Sequence, residues 1–354
     1  MEQKEQKELT QIDILSLSRN ELTREILDLG EKAFRAKQIY EWLHVKKITD
    51  FSQMSNISVQ LRERLSKKFC IKSLKIKKRL VSDMDNTVKY LYGLPDGQAV
   101  ESVLMEYRHG NSLCISTQVG CKMGCRFCAS AIAGFVRNLE PSEMLLQVYE
   151  TERDSGRRVD SIVLMGIGEP LDNFDNVMKF LSLLNSDGEG MSLRHISLST
   201  CGLVERIYEL AELKTGLTLS VSLHAATDEK RSEIMPVNKR YGLEKLMAAC
   251  RDYFKKTGRR ISFEYSLIEG VNDTEQSARE LTELLCGMNC HVNLIPINEI
   301  RERDYKKSRY VESFQKMLVS AGINATVRRT LGADINAACG QLRRDESPSD
   351  SRSV

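Results

Sequence analysis

The spacing of apolar residues changes twice along the chain. Over roughly the first 75 residues they recur at helical intervals. Leu22, Ile26, Leu27 and Leu29 form one set, Ala33, Phe34, Ile39, Trp42 and Leu43 a second, and Leu61, Leu65 and Phe69 a third. From Leu74 to Met105 the period shortens to two, as in Val88-Lys-Tyr-Leu-Tyr92 and Val100-Glu-Ser-Val-Leu104. Pro95-Asp-Gly97 separates these runs and predicts an antiparallel hairpin. From Leu113 onward an apolar run, a loop rich in Gly, Pro or Asn, and an amphipathic helix repeat in turn. The runs are Leu113–Val119, Ser161–Ile167, His195–Thr200, Leu217–Leu223, Ile261–Ile268, His291–Ile297 and Ala325–Thr330. Helical patterns lie between most of them, for example Glu143–Glu152, Val177–Leu184, Leu243–Phe254, Ala278–Leu285 and Val311–Leu318.

Strands alternating with helices imply parallel pairing through right-handed crossovers. Six such units and an extra strand suit an α/β fold built as an open, partial (β/α)6 barrel, with a small helical N-terminal part and a β-hairpin extension. The divisions fall at 1–75 for the helical unit, 76–110 for the hairpin and 111–342 for the barrel with its C-terminal loop. A polar, Ser-rich tail over 343–354 is expected to be disordered.

Composition narrows the class. No run of 18 apolar residues occurs, so no membrane span is expected. The start, Met1 to Lys7, is charged and does not read as a secretory signal. In a cytoplasmic chain the ten cysteines are ligands, catalytic thiols or core residues rather than a disulfide framework. The balance of 52 basic against 49 acidic residues says little about partners, but their distribution says more. Leu61 to Arg79 holds nine basic residues and one acid, Glu63. Further basic groups run from Arg301 to Arg309 and through Arg328, Arg329, Arg343 and Arg344. They suggest phosphate contacts on one face, although solvated helix faces give the same pattern.

Directly behind the first apolar run stand Cys121, Cys125 and Cys128, a C-x3-C-x2-C triplet with Phe127 beside the third thiol. Three thiolates can fasten three irons of a four-iron cluster and leave the fourth iron open. The natural occupant of that corner is the amino and carboxylate end of S-adenosylmethionine. A zinc knuckle is the competing reading, but no nearby C-x2-C or H-x3-H pair completes four ligands. Gly166-Ile-Gly-Glu-Pro170, Ser199-Thr-Cys201-Gly, Ser222-Leu-His224 and Pro296-Ile-Asn298 follow later runs, at the strand ends where parallel α/β folds bind ligands. Gly166–Gly168 lets backbone approach a ligand, and Glu169 can accept from an ammonium. Ser199, Ser222 and Asn298 suit ribose hydroxyls or a carboxylate. His224 reads equally well as a core or capping histidine. Cys339 lies in the small-residue loop Asp334-Ile-Asn-Ala-Ala-Cys-Gly-Gln341, placed to fold over the rim. Cys114, inside the first run, also reads as a buried core thiol. Cys286 and Cys290, an i, i+4 pair, could bind a metal but fit a core face better.

Taken together, Cys121–Cys128, Arg137-Asn138-Leu139, Gly168-Glu-Pro170, Leu198-Ser-Thr200, Ser222-Leu-His-Ala225, Met235-Pro-Val-Asn-Lys239, Gly270-Val-Asn-Asp273, Val292-Asn-Leu-Ile-Pro296 and Asp334–Leu342 closely resemble the RlmN-type dual-specificity RNA methyltransferases of the radical S-adenosylmethionine superfamily. Phe34-Arg-Ala-Lys-Gln-Ile39 extends the resemblance into the helical part. The resemblance implies methylation of adenine C2 in 23S ribosomal RNA near the peptidyl-transferase centre and in transfer RNA beside the anticodon. It implies one 4Fe-4S cluster on Cys121, Cys125 and Cys128, and two molecules of S-adenosylmethionine consumed per methylation. Cys339 matches the thiol that first takes a methyl group. A deoxyadenosyl radical then removes a hydrogen from that methyl, and the carbon radical adds to adenine, joining enzyme and RNA covalently. Cys114 matches the thiol that resolves the adduct and is left in a disulfide with Cys339, and Glu101 matches the proton acceptor. Gly168, Glu169, Ser199, Ser222, Leu223, His224 and Asn298 match cofactor-contacting positions.

The resemblance further implies an RNA-binding role for the N-terminal helices, an external one-electron donor such as flavodoxin, and a cytoplasmic monomer without membrane attachment. Asn298-Glu299 stands where Asn-Pro is common, Asn336 where Asp is usual, and Thr227 where Asn is frequent. The alternative is the Cfr-type family, which methylates C8 and confers antibiotic resistance. Pro170, Val119 and Pro296 favour the C2 family.

Overall fold

The computed structural model describes residues 11–186, 190–300 and 302–337. Its N-terminal part packs three helices, α1 (Arg19–Asp28), α2 (Phe34–His44) and α3 (Val59–Lys68), above two short parallel strands, β1 (Ile12–Asp13) and β2 (Phe69–Cys70). Ser18 and Glu21 form a capping box at the start of α1, and Ser58 Oγ accepts from the Leu61 N–H at the start of α3. Leu22, Ile26, Ile39, Leu43, Leu61 and Leu65 are buried and belong to the main core. His44 Nδ1 and the Tyr149 hydroxyl, 3.0 Å apart, tie this part to the barrel helices.

The central sheet has ten strands in the order β14-β13-β12-β11-β10-β9-β6-β5-β4-β3. β3 (Lys75–Val81), β4 (Val88–Gly93), β5 (Ala99–Tyr107) and β6 (Gly110–Cys114) pair antiparallel. The predicted hairpin is therefore β4 and β5, with β3 added outside it and β6 joining it to the parallel strands. Those strands are β9 (Ser161–Leu164), β10 (Ile196–Thr200), β11 (Thr218–Ser222), β12 (Ile261–Leu267), β13 (Cys290–Pro296) and β14 (Ala325–Val327). The crossovers carry α4 (Pro141–Ser155), α5 (Phe174–Asn185), α6 (Val204–Glu212), the pair α7 (Asp228–Ile234) and α8 (Leu243–Thr257), α9 (Glu275–Leu285) and α10 (Val311–Ser320). Each parallel strand is added next to the one before it, so right-handed crossovers place all these helices on one face. With β3 and β14 as its edges, the sheet is the expected open barrel.

Register separates the two faces. Leu113, Ile162, Leu198, Val221, Phe263 and Val292 fall on the helix side and are buried. The opposite face carries Cys114, Val163, Ser197, Ser199, Ser220, Ser222, Ser262, Glu264 and Asn293. Short polar groups on this inner face leave room and hydrogen-bonding capacity where a packed core would be dry.

The predicted strand Leu113–Val119 is not continuous. β6 ends at Cys114, and Gln118–Gly120 (β7) pairs instead with Phe135–Asn138 (β8) as a separate ribbon. The break is made by buried polar groups. Gln147 of α4 accepts from the Ser116 N–H at 2.9 Å and donates to its carbonyl at 3.0 Å. Ser116 Oγ donates to the Glu101 carbonyl at 2.6 Å and accepts from the Ile167 N–H at 3.0 Å. The backbone groups of Ser116 are thus satisfied outside a ladder.

Candidate active site

The cysteine loop is pinched at its base by the β7–β8 ribbon. Gly120, at φ +75°, lies so close to Gly134 that a Cβ would sit 1.7 Å from its carbonyl oxygen. Inside the loop the Cys128 N–H donates to the Cys125 carbonyl at 3.2 Å, and the Arg126 N–H to the Ile234 carbonyl at 2.9 Å. Cys121, Cys125 and Cys128 all line one cavity of about 160 Å³, together with Met123, Phe127, Met235 and Ile297. Burial pushes the Cys121 thiol up to about 12, with neighbouring Cys128 adding to the shift, and burial raises Cys125 likewise. Such thiols become thiolates when a positive centre takes the place of their protons. Among the described residues no group of three His, Cys, Asp or Glu side chains is arranged to hold a single metal ion. A cluster cube asks for something else, one thiolate on each of three irons, and the donor set fits it.

Across the cavity, Gly168 adopts φ +109° and lies so close to β7 that a Cβ would be 2.6 Å from Gln118 Cβ. Glu169 is buried, its Oε1 accepting from the Leu171 N–H at 3.0 Å and its Oε2 from the Cys201 N–H at 2.7 Å. Burial raises its pKa against the pull of these bonds. Ser199, Ser222 and Asn298 line the same cavity. His224 lines it too, at φ +58°. Its Nδ1 accepts from the Ser266 N–H at 2.9 Å, so the neutral ring carries its proton on Nε2. Burial, reinforced by Arg231, holds its pKa down to about 3. Its ring meets Phe127 edge-on, centroids 4.8 Å apart, and so supports the cysteine loop. Leu223 does not line the cavity. Its side chain is in the core, and its backbone N–H donates to the Glu264 carbonyl at 3.0 Å.

Two motifs act as scaffolding. Arg231 of α7 is fully buried and donates to the carbonyls of Cys201 (2.7 Å), Ser222 (3.0 Å) and Leu223 (3.0 Å), and to Asn238 Oδ1 (2.8 Å). Asn272 Nδ2 donates to the carbonyls of His224 (2.7 Å) and Ser266 (2.6 Å). Together they lock the ends of β10, β11 and β12.

Cys114 is buried beside a second, smaller cavity that shares Met165, Ile295, Asn298 and Arg328 with the first. Ala337, the last residue described, packs in one apolar cluster with Cys114, Val103, Met105 and Ile167. Cys339, two residues further on, lies outside the described residues. Glu101 faces Lys89, with Oε1 2.7 Å from Nζ, and both side chains are buried.

Glu264 and Arg328 also line the cavity, and neither carries a motif that marks it as a cavity residue. Glu264 Oε2 accepts from Asn293 Nδ2 at 3.0 Å and lies 3.6 Å from Arg328 Nη1. Alternation of Ser262, Glu264 and Ser266 within an apolar run was the available signal. Arg328, grouped by sequence with phosphate-facing arginines, points inward and is 19% exposed. Within the basic run 61–79, Lys68, Lys72 and Arg79 pair with Glu25, Glu140 and Asp154, so only part of that charge is left for a partner. Of the i, i+4 cysteines, Cys290 is buried and Cys286 exposed. No helix among the described residues is long and apolar enough to cross a membrane.

An open (β/α)6 barrel with three cysteines in the loop that follows its first strand defines a radical S-adenosylmethionine protein, and residues 115–282 match the radical SAM superfamily. Residues 12–71 match the ribosomal RNA large subunit methyltransferase N-terminal domain. A probable dual-specificity RNA methyltransferase RlmN from Lachnoclostridium phytofermentans is 54% identical over 339 residues, 94% of each chain. The protein of the same description from Clostridium perfringens is 52% identical over 335 residues, 94% of this chain and 96% of that one. A crystal structure of a radical SAM methyltransferase from Sphaerobacter thermophilus superposes with a TM-score of 0.90 at 40% identity, covering 94% of this chain and all of that one. The chain belongs to the RlmN family of radical SAM RNA methyltransferases. Membership implies S-adenosylmethionine and an iron–sulfur cluster.

Proposed function

We propose that the protein methylates C2 of adenine in 23S ribosomal RNA and in transfer RNA, in the cytoplasm and as a monomer. The observation that carries this reading is the pair of adjoining cavities. One is walled by the three cluster thiols; the other holds Cys114 beside the segment that leads to Cys339.

When bound, the reduced cluster and its S-adenosylmethionine supply the radical that activates an otherwise inert methyl group. Cys121, Cys125 and Cys128 hold the cluster as thiolates. The backbone at Gly168 and the side chains of Glu169, Ser199, Ser222, His224 and Asn298 orient the cofactor. Leu223, whose backbone groups are engaged by Glu264 and Arg231, holds its neighbours Ser222 and His224 in place. His224 stays neutral and offers Nε2–H as a donor. Cys339 carries the methyl carbon to the adenine, and Glu101 takes the proton that the ring carbon loses. Once the adduct radical has given one electron back to the carrier that supplied it, Cys114 attacks the Cys339 sulfur as a thiolate. An S–S bond forms, the S–C bond breaks with its electron pair on carbon, and that carbon takes up a proton to become the methyl group on the base. Residues 1–75 serve as an RNA-binding accessory unit beside the barrel at 111–342. An external one-electron carrier such as flavodoxin supplies reducing power.

The test is anaerobic turnover of the reconstituted protein on ribosomal and transfer RNA, followed by nuclease digestion and nucleoside mass spectrometry. The expected product is 2-methyladenosine. 8-Methyladenosine would transfer the protein to the C8 reading, and the absence of a methylated adenosine would overturn both.

A further inference from the structure

The loop leading to Cys339 is clasped by the turn between β3 and β4. Ser82 Oγ donates to Asp334 Oδ1 at 2.7 Å, and the Asp83 N–H donates to Asp334 Oδ2 at 3.0 Å. In the other direction the Gly332 N–H donates to Asp85 Oδ2 at 2.9 Å. Gly332 sits at φ +61°, where a Cβ would meet Ala337 Cβ at 2.7 Å and Thr87 Cγ2 at 3.0 Å. The two segments are therefore closely fitted.

Lys89 lies just past this turn, on β4. Its Nζ is 2.7 Å from Glu101 Oε1 and donates to the Asn336 carbonyl at 3.2 Å, three residues before Cys339. The Lys89 and Glu101 side chains are only 6% and 8% exposed. Register sets Val103 opposite both Lys89 and Cys114, so Lys89, Glu101 and Cys114 share the inner face. A buried ammonium is costly to keep, and an apolar residue would satisfy packing at this position. The geometry points to Lys89 as a positioning residue that fixes the Glu101 carboxylate and the segment 332–337, which leads to Cys339, in one frame, so that base and methyl carrier can act on the same adenine carbon. This rests on the reading of Glu101 as proton acceptor. When Glu101 takes the proton from the ring carbon of the adduct, the C–H electron pair stays in the ring. The carboxylate becomes a neutral acid, and the ammonium beside it loses its ionic partner in that step.

The experiment compares Glu101→Gln, Lys89→Met, Lys89→Arg and the double variant Lys89→Met/Glu101→Gln in the cluster-loaded, full-length protein. Three readouts are followed: the methyl group on Cys339 by intact mass, the covalent protein–RNA species on denaturing gels, and released methylated RNA. Glu101→Gln is expected to slow release about a hundredfold, as loss of a general base does, with the covalent species accumulating. Lys89→Met should do the same while still forming the species. Lys89→Arg should recover part of the release, and the double variant should be no slower than Glu101→Gln alone. Release from Lys89→Met at the unsubstituted rate overturns the inference while leaving the Glu101 reading intact. So does loss of adduct formation in Lys89→Met that adds to the Glu101 effect, which marks a merely structural lysine. Normal release from Glu101→Gln overturns the Glu101 reading itself, and the inference with it.

Discussion

Arg328, which lines both cavities, places Nη1 3.6 Å from Oε2 of Glu264 in the wall of the first. Burial raises the pKa of Glu264, Arg328 is the first influence opposing that rise, and Asn293 and Ser262 donate to the same carboxylate. Removing the cation leaves a buried carboxylate with less compensation. The pair is only partly buried on the Arg328 side, so Arg328→Met is expected to cost about 1–2 kcal/mol of stability, less than breaking a fully buried pair. Urea unfolding of the two proteins measures it, and an unchanged midpoint would mean that the pair contributes nothing.

Arg231 joins three carbonyls and one side-chain amide with no water needed between them. Arg231→Met abandons four acceptors in a buried region, at roughly 1–3 kcal/mol for each group left unsatisfied. The variant is expected either not to fold or to bind S-adenosylmethionine far more weakly, since the backbone of Ser222 and Leu223 loses its anchor. Equilibrium dialysis with labelled S-adenosylmethionine checks this. Affinity and melting temperature both equal to those of the unsubstituted protein would remove Arg231 from the scaffold.

His224 and His44 are both buried, and burial lowers their pKa values to about 3 and about 4. A histidine whose native pKa lies below its unfolded value takes up a proton on unfolding. Its contribution is complete above about pH 6.5 and is lost as the pH falls toward the native value, at about 1.4 kcal/mol per pH unit for each such histidine. Chemical denaturation at several values between pH 7.5 and pH 5, each about half a unit apart, should show stability falling with acid. His44→Phe should flatten that slope by one proton's worth. An identical slope in the variant would mean that His44 is charged in the native state.

Cys121, Cys125 and Cys128 line one cavity, and if they hold the cluster as proposed, removing one thiol would leave an iron without its ligand. Cys121→Ala is expected to bind little iron and sulfide after anaerobic loading and to give no 5′-deoxyadenosine. A variant that still cleaves S-adenosylmethionine at the normal rate would take Cys121 out of the ligand set.

Much of this architecture was legible in the chain because it is local. Alternation in Ile261–Leu267 and Cys290–Pro296 separates an apolar helix-facing row from a polar inner row, and the crossover rule then orders the strands. The break after Cys114 was not legible, because it depends on Gln147, 31 residues from Ser116 in sequence. Asn238 and Asn272 marked the chain as motifs, but their work is to hold backbone carbonyls and partners that only the fold brings near. Arg328 was misplaced for a related reason. A basic residue at a strand end reads as surface charge until a buried acid, Glu264, is found two strands away.

The most direct measurement is made on Cys114→Ala in an anaerobic reaction with RNA. If Cys339 carries the methyl group and Cys114 releases the product, the variant should accumulate a protein–RNA species that survives denaturation. Proteolysis and nuclease digestion should then leave the Cys339 peptide joined to adenine C2 through a single methylene carbon. Recovery of free methylated RNA in normal yield, with no such species, would contradict the two-thiol route.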